Sequence, residues 1–162
     1  MKKNLFAVIC ISLLLSGCGN GKDIDYNKTD TVTFYNLTFE IPTIFTFNSA
    51  DSQDDIKFYS YEDSKKYNSC KLYVAVSNYP NTDLKKVVQN GLLGETNFSY
   101  NEKNINGYTW SIGYVEKSAK RNHTFYAINN NGKQYSISYD DFGSGEKCAE
   151  ALKIIDKSLK FN

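Results

Sequence analysis

The sequence predicts an α+β fold in which a central antiparallel β-sheet is flanked by helices. Three observations support this prediction. Short segments in which apolar and polar residues alternate recur along the chain, as they do in half-buried strands. Turns that contain Asn and Gly separate the later segments, which predicts hairpins between antiparallel neighbours. Two further stretches have their apolar residues at helical spacing.

The first half of the predicted domain consists mainly of strands. Residues 31–41 alternate between apolar and polar, which predicts two short strands before Pro42, because proline cannot donate the next hydrogen bond of a sheet. Residues 56–61 predict another strand after an acidic loop at residues 51–55. Residues 70–79 show the clearest alternation. One face of this strand consists of Leu72, Val74 and Val76.

A short amphipathic helix is predicted after Pro80. Asn81 or Thr82 is its expected N-cap, because a short polar side chain can accept a hydrogen bond from the first turn. Gly91 or Gly94 is expected to end the helix. The apolar stripe consists of Leu84, Val87, Val88 and Leu92.

The rest of the sequence predicts a four-stranded antiparallel meander followed by a second helix. Residues 106–107 and 130–132 are the expected hairpin turns, because Asn and Gly tolerate the positive φ angles of tight hairpins. Ser144 is the expected N-cap of the last helix, whose apolar stripe must cover the sheet. This stripe consists of Cys148, Ala151, Leu152, Ile155 and Leu159.

At the N-terminus, two lysines precede an apolar run too short to span a bilayer, and residues 15–18 read Leu-Ser-Gly-Cys. In these features the N-terminus resembles a bacterial lipoprotein signal. The resemblance implies that residues 1–17 are a signal peptide and that residues 18–30 are a lipidated Cys18 and a flexible tether. Residues 31–162 then form one globular domain, held on the extracytoplasmic face of a bacterial membrane, at the cell surface or in the periplasm.

The charge balance argues against a nucleic-acid partner. Without residues 1–17 the chain has 145 residues, with 17 Lys and Arg against 18 Asp and Glu. Nucleic-acid binding depends on clustered cations that neutralise phosphates. The one local basic cluster, Lys117, Lys120 and Arg121, is too small to change this expectation.

Cys70 and Cys148 are the two remaining cysteines of the mature chain. In an exported protein they predict one disulfide. The last helix points Cys148 inward near its start, where a cysteine at a strand end can reach it. The alternative is a pair of buried thiols, since unpaired cysteine is a small core residue.

Five segments of the sequence carry a resemblance to a known fold. They are residues 39–42, 72–76 with the helix at Asp83, 106–107, 132–135 and 155–159. In these segments and in the order of its elements, the chain resembles the PsbP-like fold, which is shared by the extrinsic oxygen-evolving subunit of photosystem II, a Ran-binding nuclear import factor and bacterial DcrB-type lipoproteins. The resemblance implies helices on both faces of an antiparallel sheet and a binding or assembly role without known catalysis or cofactor. No metal-binding residues of the family carry over.

Candidate catalytic residues are few. His123 is the only histidine, and its position beside a polar turn predicts a solvated side chain at a strand end, with no obvious Ser or Cys nucleophile beside it. Ser144 and Lys147 have the spacing of a serine acyl-enzyme motif, but the companion elements of that motif are absent from the sequence. A helix cap is the favoured interpretation of Ser144.

Acidic residues are candidate ligands for calcium or manganese. Asp51, Asp54 and Asp55 share one loop, and a second acidic set lies near the last turn. Neither set has the spacing of an EF-hand, so solvated surface charge is favoured over a metal site. The second set consists of Asp140, Asp141 and Glu146.

The chain has 13 tyrosines and 10 phenylalanines. Most of them fall at alternating strand positions and are expected in the core. Four tyrosines flank predicted loops, where exposed rings can stack on sugars or anchor a protein partner. These candidate binding residues are Tyr59, Tyr61, Tyr67 and Tyr79.

The function expected from the sequence is that of a non-catalytic, lipid-anchored binding or assembly module of the bacterial envelope. Its partner would be an envelope protein or a wall component, contacted through a sheet edge or the aromatic loops. A metal-binding lipoprotein that uses the acidic loops is the alternative. A hydrolase that uses His123 is the third hypothesis.

Overall fold

Two antiparallel sheets and two helices make up the part of the chain that the computed structural model describes, residues 25–63, 68–118, 121–143 and 146–162. The larger sheet has the strand order β3-β4-β5-β9-β8-β7-β6, and the smaller has the order β1-β2-β10. The helices are α1, Leu84–Gly91, and α2, Glu146–Ser158. The strands are β1 Thr29–Phe34, β2 Leu37–Pro42, β3 Thr46–Phe47, β4 Ile56–Asp63, β5 Asn68–Ser77, β6 Ser99–Ile105, β7 Tyr108–Ser118, β8 Arg121–Asn130, β9 Lys133–Phe142 and β10 Lys160–Phe161.

Strand alternation gives the larger sheet two buried faces of unequal size. The first face carries large apolar side chains of the central strands, such as Leu72, Tyr135 and Ile137, and packs with α2 and the smaller sheet into the main core. The opposite face packs against α1 in a smaller cluster around Val88 and Leu92. The predicted fold class is therefore confirmed, with a helix on each face of an antiparallel sheet.

The predicted hairpin turns are present. Asn106 and Gly107 have φ angles of 52° and 90°, and Asn131 and Gly132 have φ angles of 49° and 73°. Positive φ at both central residues matches the right-handed twist of the flanking strands. β6 with β7 and β8 with β9 are thus joined as antiparallel neighbours.

Three details differ from the sequence prediction. The N-cap of α1 is Asp83, whose carboxylate accepts a hydrogen bond of 3.0 Å from the backbone N–H of Lys86. The two-residue strands β3 and β10 were not predicted, because alternation cannot be recognised over two residues. β1 begins at Thr29, within the segment interpreted as tether. The predicted signal peptide, Cys18, Tyr67 and the predicted cap Ser144 lie outside the described residues.

The disulfide predicted from the sequence is present. Cys70 on β5 and Cys148 on α2 are bonded, with 5.7 Å between their Cα atoms and 78 residues of sequence separation. Both residues are fully buried in the main core. A link over such a loop stabilises the fold by about 4 to 5 kcal/mol in the chain-entropy model. Neither described helix is long and apolar enough to cross a membrane.

Candidate functional site

An exposed tyrosine occupies the tip of the β1–β2 hairpin. The turn consists of Tyr35 and Asn36, and Tyr35 has a φ angle of 54° and half of its surface exposed. The tip is tied to the larger sheet, because the Tyr135 hydroxyl donates a hydrogen bond to Asn36 Oδ1. The backbone N–H of Asn162 also donates to the Asn36 carbonyl at 2.9 Å. Tyr35 is therefore presented to solvent by a well-supported turn.

A lysine joins this hairpin to the edge of the larger sheet. Phe47 lies on the edge strand β3, is 45% exposed, and contacts the ring of Tyr59 at 5.4 Å between centroids. The ammonium of Lys57 lies 5.8 Å from the ring centroids of both Phe34 and Phe47. These distances are within cation–π range.

A second lysine lies over the ring of Tyr35. The Lys133 ammonium is 5.1 Å from the centroid of that ring and donates a hydrogen bond to Asn78 Oδ1. Within the described residues, neither Lys57 nor Lys133 forms an ion pair with a carboxylate. We call this region the aromatic–lysine surface, and it consists of Phe34, Tyr35, Phe47, Lys57, Tyr59 and Lys133.

The aromatic–lysine surface lies at the end of β1 that is farther from the N-terminus. Thr29 begins this strand and Phe34 ends it. Five residue steps at about 3.3 Å each separate these ends by about 17 Å. The surface therefore lies at the end of β1 away from the strand end at which the described chain enters the sheet.

The four candidate tyrosines have different positions. Tyr59 is half-buried and belongs to the aromatic–lysine surface. Tyr79 is 86% exposed and follows Asn78, the hydrogen-bond partner of Lys133. Tyr61 is buried in the main core against Phe45, so it is not accessible to a partner. Tyr67 lies outside the described residues.

The sequence prediction missed Tyr35, Phe47 and both lysines of this surface. The exposure of Tyr35 could have been predicted from the sequence. Residues 35–36 interrupt the alternation between two predicted strands, which indicates a hairpin turn, and the tip of a hairpin is exposed. Phe47 and Lys57 gave no comparable signal. They come together only through the pairing of β3 with β4 and the packing of the hairpin on that edge.

The acidic loop before β4 is exposed. Asp51, Asp54 and Asp55 all face solvent, and Asp51 accepts a hydrogen bond of 2.8 Å from the amide of Asn48. Among the described residues, no three His, Cys, Asp or Glu side chains are grouped so that they could hold a metal ion. The side chain of Glu146, in the second acidic set, lies outside the described part of the chain. The geometry thus gives the metal-binding alternative no support.

The prediction for His123 was wrong. This side chain is only 4% exposed, lies on the α1 face of β8, and forms a hydrogen bond of 2.9 Å between its Nε2 and Ser138 Oγ. Its Nδ1 is 3.8 Å from Asp140 Oδ1, and that carboxylate is also 3.6 Å from the Arg121 guanidinium. Burial lowers the pKa of His123, and the negative charge of Asp140 opposes part of this effect.

The Ser138, His123 and Asp140 side chains have the order of a catalytic triad, but their surroundings differ from those of a hydrolase. Acyl transfer needs hydrogen-bond donors aimed at the developing oxyanion, most often backbone N–H groups. Ser138 lies in the middle of β9, where the backbone pairs with β5 on one side and β8 on the other. The neighbouring N–H groups are thus engaged in the sheet.

A groove of about 830 Å³ lies beside the smaller sheet, at the end nearer the N-terminus. Threonine and asparagine side chains dominate its lining, with Glu40, Lys157 and Lys160 as the charged groups. The Thr29 hydroxyl donates to Glu40 at 3.2 Å, and Asn106 donates to the carbonyls of Lys157 and Leu159 at 2.9 and 2.8 Å. Much of its polar lining is therefore occupied with internal hydrogen bonds.

Comparisons with known proteins identify the fold. No family model matches the chain, and no curated protein is similar in sequence. The solution structure of the cyanobacterial PsbP protein CyanoP from Synechocystis sp. PCC 6803 superposes with a TM-score of 0.57 at 11% identity, over 91% of this chain and 99% of that chain. The chain has a PsbP-like fold.

A second solved structure is also similar. It is a crystal structure from Bacteroides thetaiotaomicron VPI-5482, with a TM-score of 0.52 and 9% identity. The match covers 83% of this chain and 48% of that one. The CyanoP comparison supports the PsbP-like resemblance noted in the sequence, and at these identities both comparisons show the fold alone.

Proposed function

We propose that this PsbP-like protein is a lipid-anchored, extracytoplasmic binding or assembly module of a bacterial cell envelope, without catalytic activity. Its contact site is the aromatic–lysine surface. The single observation that carries this proposal is the exposure of Tyr35 and Phe47 beside two lysines that form no ion pair with any carboxylate of the described residues. Tyr and Phe are enriched at protein interfaces, and Tyr is among the residues that most often dominate binding energy there.

The disulfide supports the proposed location. A buried disulfide is typical of proteins that fold outside the reducing cytoplasm. If Cys18 is lipidated, the seven residue steps from Cys18 to Asp25 reach at most about 25 Å from the membrane surface. The aromatic–lysine surface is at the opposite end of β1, so the anchor leaves it accessible to partners beyond the membrane.

The anchor is tested by replacing Cys18 with Ala in the full chain. The wild-type protein is expected to sediment with membranes and to incorporate a radiolabelled fatty acid, whereas Cys18→Ala should do neither. Retention of Cys18→Ala in the membrane fraction would show that another feature holds the protein there.

The contact site is tested by in-cell crosslinking of the full chain followed by identification of neighbours. The double variant Tyr35→Ser and Phe47→Ser is expected to lose the envelope neighbours that the wild type crosslinks. Tyr114→Ser is the matched control, because Tyr114 is an aromatic residue of similar exposure, 40%, on β7. An unchanged set of neighbours in the double variant would remove the aromatic–lysine surface as the contact site.

A further inference from the structure

The two lysines of the aromatic–lysine surface are not paired with carboxylates in the described part of the chain. Lys57 lies on the face of β4 that packs toward the main core and the β1–β2 hairpin. Asp51, Asp54 and Asp55 are exposed in the loop before β4, but none of them forms an ion pair with Lys57. Lys133 donates to the neutral Asn78 side chain. Both ammonium groups therefore keep a positive charge that no described carboxylate neutralises.

One face of each exposed ring lies against an ammonium group. Tyr35 has Lys133 over its ring and Phe34 at 5.0 Å, and Phe47 has Lys57 over its ring. A sugar stacks by placing its C–H groups on an open aromatic face, where the ring is electron-rich. An ammonium group on that face competes with such stacking. The same ammonium groups, held in place by the rings, can form ion pairs with carboxylates that approach from outside.

We infer that the occupant of the aromatic–lysine surface is a protein that presents carboxylate side chains to Lys57 and Lys133. This inference rests on the proposed function and specifies its partner. The exposed parts of Tyr35 and Phe47 supply apolar contact area, and the two lysines set the charge and the orientation of the partner. A neutral wall glycan would leave both lysine charges unpaired and would meet rings that each have an ammonium group over one face.

The test places a photoreactive amino acid at position 47 of the full lipidated chain in living cells. Mass spectrometry then identifies the peptide that is crosslinked. We expect a protein adduct whose crosslinked segment contains Asp or Glu. The pair of substitutions Lys57→Glu and Lys133→Glu should lower the adduct yield about tenfold, because like charges across an interface disfavour binding. Replacing the identified Asp or Glu of the partner with Lys should restore the adduct with the charge-reversed protein.

Matched controls use lysines elsewhere on the surface. Lys103 and Lys153 form ion pairs with Asp156 and Glu150, and their side chains are 50% and 61% exposed. The pair Lys103→Glu and Lys153→Glu changes the net charge equally and should leave the adduct yield unchanged. Equal thermal unfolding curves of both double variants establish that they fold, and Lys57→Gln with Lys133→Gln provides a milder second variant.

The inference and the proposed function fail in different ways. A protein adduct that is insensitive to charge reversal at Lys57 and Lys133 would overturn the inference. Binding of the mature domain to purified cell wall would also overturn the inference, if that binding is lost in the double variant Tyr35→Ser and Phe47→Ser. The proposed function would still stand in that case, because it includes a wall component as partner. If neither protein adducts nor wall binding respond to changes at this surface, the proposed function itself is wrong.

Discussion

His123 on β8 and Ser138 on β9 are joined by a hydrogen bond of 2.9 Å on the α1 face of the larger sheet. The antiparallel register places His123 opposite Asp140, and Phe125 opposite Ser138. The side chains of His123, Ser138 and Asp140 therefore meet because of strand pairing. A buried histidine with these neighbours makes folding sensitive to pH.

The stability of the domain is expected to fall in mild acid because of His123. Its pKa is lowered by burial, with Asp140 opposing the shift and Lys117 and Arg121 adding to it. An unfolded histidine has a pKa near 6.5, so between the two pKa values the unfolded state binds a proton that the folded state does not. The contribution of His123 to the free energy of unfolding is therefore fully present above about pH 6.5, and it decreases as the pH falls below that value.

Urea unfolding at about pH 7.5 and about pH 5.5 measures this effect. Trp110, the only tryptophan and 1% exposed, reports unfolding through its fluorescence. His123→Gln is expected to lose less stability between the two pH values than the wild type does. Equal losses in both proteins would show that other groups cause the pH dependence.

The features that the sequence predicted are those determined by residues close together in the sequence. The Asn-Gly turns predicted two hairpins because they need positive φ angles at those residues, and the apolar stripe of α2 predicted which side of the helix is buried. The cysteine count predicted the disulfide, because an exported chain with two remaining cysteines usually pairs them.

The features that the sequence did not predict depend on how distant segments pack. The neighbours of His123 follow from the register of β8 with β9, and one residue of slip would have separated them. The aromatic–lysine surface combines residues from β1, β3, β4 and β9 and the β1–β2 turn. Of the three proposed tyrosines that the structure describes, only Tyr59 belongs to it, because loop-flanking position does not decide where a ring lies in the folded domain.

Removing the disulfide is expected to destabilise the domain substantially. Cys70→Ala with Cys148→Ala should lower the free energy of unfolding by about 2 to 5 kcal/mol, because the unfolded chain gains freedom when the link is lost. Urea unfolding of both proteins measures the difference. Adding reductant should reproduce the loss in the wild type and have no effect on the double variant. A reductant effect of similar size on both proteins would contradict this account.

Asp83 is expected to stabilise the N-terminus of α1 more than Thr82 does. Asp83→Ala removes the hydrogen bond to the backbone N–H of Lys86 and should cost about 1 kcal/mol of stability. Thr82→Ala is the control, because Thr82 is exposed and was one of the two caps expected from the sequence. Thermal or urea unfolding distinguishes them, and an equal loss for both substitutions would argue that Asp83 is not the dominant cap.

Gly113 on β7 is expected to be required for the packing of α1. A Cβ atom at this position would lie 2.3 Å from Val88 Cγ1 and 2.8 Å from Leu92 Cδ1, so the helix would have to move away from the sheet. Gly113→Ala should therefore lower the free energy of unfolding by about 1 to 3 kcal/mol, as overpacked cores do. Thr109→Ala, at an exposed position of the same strand, should have a much smaller effect.

A second substitution tests whether crowding against Val88 causes the loss. Val88→Ala removes the methyl group nearest to the new Cβ atom, so the combination of Gly113→Ala with Val88→Ala should be more stable than the sum of the two single effects predicts. If the two effects simply add, contact with Val88 is not the cause, and the overlap with Leu92 Cδ1 would have to explain the loss. The lower conformational freedom of alanine cannot explain a loss, because it disfavours the unfolded chain and would raise stability.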